Sequence, residues 1–346
     1  MCKEVSKYTD IAVQAAVYII FLLLAAIGSK KRESLPTDKE ALSELNGLRG
    51  LFALEVIVGH VVRYENSLLF PFGKFMIVSV GFFFYVSGFG LAYSLKNKEH
   101  YLNGRYILSK PVFLAAAALI VFLHYVITGL VSGVQLKFVR PDVLKCFFSS
   151  TNWYIKEQIL FYLLFFLIFL FLKKRAGIIA LCAATSAMVI FFYYSSMSEA
   201  WVASSFCFPL GVFVGDEFDK IKKYLYGIHG IILSILFTAF GLMTLFVRDE
   251  NIFTMVVLRN MLCVGIVLGI TALCGVVRLC YNKPVKLLCA VSTELYLFQF
   301  VWLELAGVVW EDYRIRLLFV LILTIAMAAL FHPLLKKMRA VFGGRA

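Results

Sequence analysis

The chain has 346 residues, 62% of them apolar and 16% charged, with a formal net charge of +13. A soluble domain sits at roughly 45–50% apolar and about 25% charged, so the surplus exceeds what a core of this length can hide, and a bilayer must cover it. The cations lie in short loops between apolar runs, which the positive-inside rule explains, and no soluble basic face exists to engage nucleic acid.

The eight cysteines lie mostly inside apolar stretches and form no Cys-x-x-Cys pair. No histidine accompanies them at metal-ligand spacing, so they read as small buried hydrophobes and no metal site is expected.

A spanning helix needs about 20 mainly apolar residues. The expected architecture is an all-α, polytopic bundle of about eleven spans, near 11–28, 47–64, 75–95, 111–133, 153–172, 176–195, 200–216, 227–247, 255–280, 286–309 and 315–337. Residues 1–44 form an extra N-terminal helix with its loop, and 45–340 the main membrane domain. Pro111 fits the first turn of a helix. Counting cations loop by loop places about 21 on one side and about 10 on the other, so the richer side is expected to be cytoplasmic, with the N-terminus outside and the C-terminus inside. The protein should then be a multi-pass protein of the plasma membrane. The first span also has the shape of a cleaved signal peptide, ending in Ala25-Ala26-Ile27-Gly28. Cleavage would leave Lys30-Lys31-Arg32 on the outer side, against the charge rule.

Ionisable groups inside spans each cost about 2.5–3.5 kcal/mol on insertion scales, so each needs a reason. The second span holds the densest set, Arg49, Glu55 and His60. Arg49 and His60 are eleven residues apart, three turns plus about 20°, so both lie on one helix face, roughly 16 Å apart along the axis. Glu55 falls about 120–140° away and must face another partner. The competing reading is that Arg49 snorkels to headgroups and His60 bonds a neighbouring carbonyl. Elsewhere, His124 is read as a core histidine or a cavity lining, and His229 and His332 as interfacial. Glu294, Glu304 and Arg259 are read as internally paired. Lys156 and Glu157 are read as an outer mouth for a polar acceptor or as simply interfacial. Trp153, Trp201, Trp302 and Trp310 fit an aromatic belt.

The Arg-x10-His pattern of Arg49 and His60 resembles the acyltransferase-3 family of membrane-bound acyltransferases. Gly81-Phe-Phe-Phe-Tyr-Val-Ser-Gly-Phe89 is similar to that family's second-helix signature. Tyr101-Leu-Asn-Gly-Arg105, followed by Pro111, is similar to its basic loop. Asn152-Trp-Tyr-Ile with Tyr162 resembles its fourth-helix pattern, and Ser292-Thr-Glu-Leu-Tyr-Leu-Phe-Gln299 its late Ser-x-x-x-Tyr-Leu motif. The basic loop carries Leu108 where a second arginine is common, with Lys110 nearby, and the late motif ends in Gln299 where a histidine is common.

The resemblance implies a ten-helix core and transfer of an acyl group, most often acetyl, from cytosolic acyl-CoA to a hydroxyl of a surface or lipid-linked carbohydrate. It implies no permanently bound cofactor. Arg105 and Lys110 would bind the CoA phosphates. His60 would take the acceptor's proton or carry the acyl group transiently. Arg49 would stabilise charge on the thioester oxygen or hold the donor's arm, and Glu55 or Glu157 would supply a carboxylate to the imidazole. Trp153, Tyr154, Glu157 and Tyr162 would meet the acceptor. A secondary transporter, expected to show inverted repeats, and a non-catalytic membrane sensor or scaffold are the other classes. Ser87 has no Gly-x-Ser-x-Gly elbow around it, so it is not read as a nucleophile.

Overall fold

A computed structural model describes residues 16–62, 75–134, 153–245, 251–279 and 282–343. The described chain is helical apart from one antiparallel pair of two-residue strands, β1 (Lys30–Lys31) and β2 (Val277–Arg278). In chain order the helices are α1 (Ala16–Ala26), α2 (Asp38–Val62), α3 (Met76–Asn97), α4 (Gly104–Ile107), α5 (Phe113–Ser132), α6 (Trp153–Phe171), α7 (Lys174–Tyr194) and α8 (Cys207–Asp216). Then follow α9 (Phe218–Leu225), α10 (Ile228–Leu242), α11 (Arg259–Val276), α12 (Lys283–Ala290), α13 (Ser292–Val309) and α14 (Tyr313–Gly343).

Each expected span overlaps a helix or a pair of helices among the described residues, and the protein is a polytopic helical membrane protein. Among the described residues six helices are long and apolar enough to cross a bilayer, or eight if α9–α10 and α12–α13 each count as one span. Three expected spans fall short of that measure. The described part of the first is Ala16–Ala26 alone, and its residues 11–15 lie outside the described ones. The second, α2, is not among the six, although its last 18 residues hold only two charged groups, Arg49 and Glu55. The helix within 200–216, Cys207–Asp216, is ten residues, about 15 Å at 1.5 Å per residue and half a hydrocarbon core. On the long helices large apolar side chains stand exposed, among them Leu130, Phe171, Ile179, Leu318 and Leu330. In water that surface would aggregate; in lipid it is solvated.

By contact the chain divides into two compact units, one of Met1–Lys98 with Ile178–Ala290 and one of Glu99–Gly177 with Val291–Ala346.

In the first unit α2 begins with a reciprocal cap. The Glu40 N–H donates to Thr37 Oγ1 (3.3 Å) and the Thr37 N–H donates to Glu40 Oε2 (2.9 Å). That backbone donor holds the Glu40 carboxyl below the usual carboxylate range. Glycines let backbones meet. A Cβ on Gly211 of α8 would lie 2.0 Å from Tyr85 O of α3, and one on Gly88 of α3 would lie 2.3 Å from Phe208 O of α8. The pair α10–α11 repeats the device, with Gly241 against Leu262 N (2.4 Å) and Gly265 against Thr238 N (2.5 Å). Buried ions are paired. Arg32 bonds Glu44 and donates from Nε to Cys274 O (3.0 Å), while Arg259 bonds Glu199. Cys207, Cys263 and Cys274 are buried packing residues. Trp201 departs from the belt expectation. It is 5% exposed and packs edge-on against Phe192 of α7.

In the second unit Pro111 does not begin a helix. The helix starts at Gly104, capped by Asn103, whose Oδ1 accepts from the N–H of Arg105 (2.8 Å) and Tyr106 (3.3 Å). Pro111 then falls inside a π turn at Leu108–Val112. The wider turn accommodates a residue with no N–H to donate.

Candidate active site

Arg49, Glu55 and His60 all belong to the first unit, on α2, which runs unbroken from Asp38 to Val62. Continuity is what the face argument required, and Arg49 and His60 therefore share a face. The Arg49 guanidinium stands 5.8 Å from the centroid of the Phe83 ring, within cation–π range. Its Nε is buried with no hydrogen-bond partner. Behind it, a Cβ on Gly50 would lie 2.5 Å from the Leu288 carbonyl carbon, so α2 and α12 touch backbone to backbone. Cys289 Sγ donates to Asn46 O (2.8 Å) across the same seam. His60 is half-buried in the last turn of α2. Glu55 is 7% exposed, and its carboxyl turns to α3 and α1, where it accepts from the Ser79 hydroxyl and hydrogen-bonds Tyr18. These are the separate partners its helical angle demanded.

The remaining site residues belong to the second unit. Arg105 is exposed on α4 and Lys110 half-buried in the π turn. Between them Tyr106 is buried, and its hydroxyl donates to Tyr162 O of α6 (2.9 Å) while its ring stacks on Phe166 at 5.5 Å. One tyrosine thus ties the basic turn to the helix bearing the acceptor candidates. On α6, Trp153, Lys156 and Tyr162 are half-buried, whereas Tyr154 and Glu157 are closed inside, Glu157 with 0% exposure. Tyr154 packs edge-on to Tyr296 at 4.7 Å. Asn152 lies outside the described residues, as do most cations assigned to the outer side: Lys3, Lys7, Arg63, Lys74, Lys137, Arg140, Lys145 and Arg248.

Two features of this unit escaped sequence reasoning. Arg339, near the end of α14, lies over the Phe113 ring at 5.0 Å and brings a third cation beside the basic turn. His332 is not simply interfacial: its Nδ1 is 2.9 Å from Oε1 of Glu294, which is 1% exposed. Glu294 and Glu304 are paired internally as expected, the latter by Tyr125. His124 is ringed by Phe298, Trp302 and Phe331 at 5.4–5.8 Å. Its Nε2, the Trp302 Nε1, the Gln299 Oε1 and the Gln158 Nε2 are buried polar atoms without hydrogen-bond partners. No spacing rule predicts partners that stand 38 residues apart, as Glu294 and His332 do.

The sequence pattern of the family described as an acyltransferase domain, acyltransferase 3, matches residues 42–332. No curated protein and no solved structure matches the chain.

Proposed function

The chain belongs to the acyltransferase-3 family of membrane acyltransferases, and from that premise we propose that it moves an acetyl group from cytosolic acetyl-CoA to a hydroxyl of a surface or lipid-linked carbohydrate. The observation that carries the reading is the unbroken α2, inside the family match from residue 42 on, which keeps Arg49 and His60 on one face of one helix. His60 accepts the proton of the acceptor hydroxyl as its oxygen attacks the thioester carbonyl. The carbon–sulfur bond breaks, and CoA leaves as a thiolate that takes up a proton. Arg49 steadies the charge that builds on the carbonyl oxygen. In the second unit Arg105 and Lys110, with Arg339 beside them, take the donor's phosphates, and Trp153, Tyr154, Glu157 and Tyr162 form the acceptor side. Transfer of radiolabel from acetyl-CoA into the glycan fraction of membranes, present with the protein and absent without it, is the direct test. Label that stays in CoA would reject the reading.

Two expected results follow from the proposed roles. Arg105→Ala should raise the donor KM about tenfold, the loss of one charge-assisted bond, while kcat at saturating donor stays within about a factor of two. An unchanged donor KM would remove Arg105 from the donor site. The proposed orientation has the N-terminus outside and the C-terminus in the cytoplasm, so the two ends of α7 lie on opposite sides. With native cysteines replaced, a cysteine at Ser196 should react with an impermeant reagent added outside and one at Lys174 should not; the reverse pattern would invert the orientation.

A further inference from the structure

The N-terminal segment precedes the family match, which begins at residue 42, yet its described residues, from 16 onward, make several contacts with the rest of the first unit. Asn282 Nδ2 donates to Leu24 O (2.5 Å) and Ile27 O (3.0 Å), occupying carbonyls at the end of α1. Next, β1 pairs with β2, and Arg32 bonds Glu44. A retained anchor would need no more than this. The remaining contact is of another kind: the Tyr18 hydroxyl of α1 hydrogen-bonds the carboxyl of Glu55 in the middle of α2.

Glu55 is more than nine-tenths buried, Ser79 of α3 donates to its Oε2, and its Oε1 is buried without a partner. A buried carboxyl so sparsely satisfied depends on each donor it has. Its helical angle points it away from the Arg49–His60 face, so it does not reach the reacting atoms. It does join three helices at one point, and a turn of α2 about its axis would carry Arg49 and His60 with it. Small misplacements of reacting groups cost large factors in rate.

We infer that Tyr18 is a positioning residue of the transferase: with Ser79 it holds Glu55, sets the rotation of the helix bearing Arg49 and His60, and makes α1 a working part of the enzyme. The inference rests on the reading that Arg49 and His60 carry the transfer. Its test is a two-by-two set of variants, Tyr18→Phe, Glu55→Leu and their combination, assayed for acetyl transfer at matched membrane abundance. Tyr18→Phe removes one oxygen and should lower kcat about tenfold with the donor KM unchanged. On the Glu55→Leu background the same change should cost nothing further, because the bond is already gone. Full kcat in Tyr18→Phe would overturn the inference, as would an equal loss in both backgrounds, or a lower melting temperature with kcat per folded molecule intact. If Glu55→Leu does not accumulate, the kcat of Tyr18→Phe alone decides. The two readings separate cleanly. An active His60→Gln variant rejects the proposed catalytic role, whereas a dead His60→Gln beside a fully active Tyr18→Phe rejects only the role of α1.

Discussion

His60→Gln is expected to lose at least a hundredfold in acetyl transfer while inserting and folding like the parent chain. Glutamine keeps a similar size and a hydrogen bond but cannot take up a proton. Loss of a positioned general base costs about 10²–10⁴-fold, and loss of an acyl-carrying imidazole costs more. His60 sits half-buried near the end of α2, eleven residues beyond Arg49 on the same face, and glutamine fills a similar volume there. The rate should be measured on the native glycan at equal membrane abundance. A variant keeping more than about a tenth of the rate falls short of the smallest loss a catalytic base produces, and His60 would then be structural. Arg49→Lys sharpens the result. Lysine keeps the charge but not the planar fork, so retained activity assigns Arg49 to charge alone and lost activity to directed bonding.

Gly88→Val and Gly211→Val should each prevent assembly of the first unit. The Phe-Phe-x-x-Ser-Gly stretch reads as a motif, and its glycine has a plain physical task. At Gly88 a new Cβ would meet Phe208 O at 2.3 Å, and at Gly211 it would meet Tyr85 O at 2.0 Å. Both obstacles are backbone oxygens, which cannot swing aside as a side chain would. Overpacking in a core typically costs about 1–3 kcal/mol, and separating two helices forfeits the packing beyond them, against a total stability of about 5–15 kcal/mol. Both variants should lose the monodisperse peak in detergent. Gly104→Ala is the control, since nothing lies within 4 Å of its would-be Cβ. Val variants that accumulate and melt like the parent would show that α3 and α8 do not depend on this contact.

Apolar runs and their punctuation were legible along the chain because a bilayer demands about 20 apolar residues per crossing and taxes every charge within them. The same cost singled out Arg49, Glu55 and His60, and the 3.6-residue period placed Arg49 and His60 together with Glu55 turned away. These are local rules, each acting within one segment. They failed where the backbone took an uncommon form. Pro111 read as a helix start, and the π turn at Leu108–Val112 carries it instead inside a helix begun at Gly104. The 200–216 stretch read as a span, and only ten residues of it form a helix.

What the sequence determined by itself was therefore the class of protein, the helices, and which helix bears the densest set of charged groups, since each follows from hydrophobicity and periodicity within one segment. What only the tertiary structure decided was who meets whom. Tyr18 and Ser79 find Glu55, Arg32 finds Glu44, His332 finds Glu294, and Arg339 comes to the basic turn. A buried charge announces that it needs a partner because leaving it unpaired is costly. Several side chains along a chain can meet that need equally well, and only the packing of helices distant in sequence selects among them.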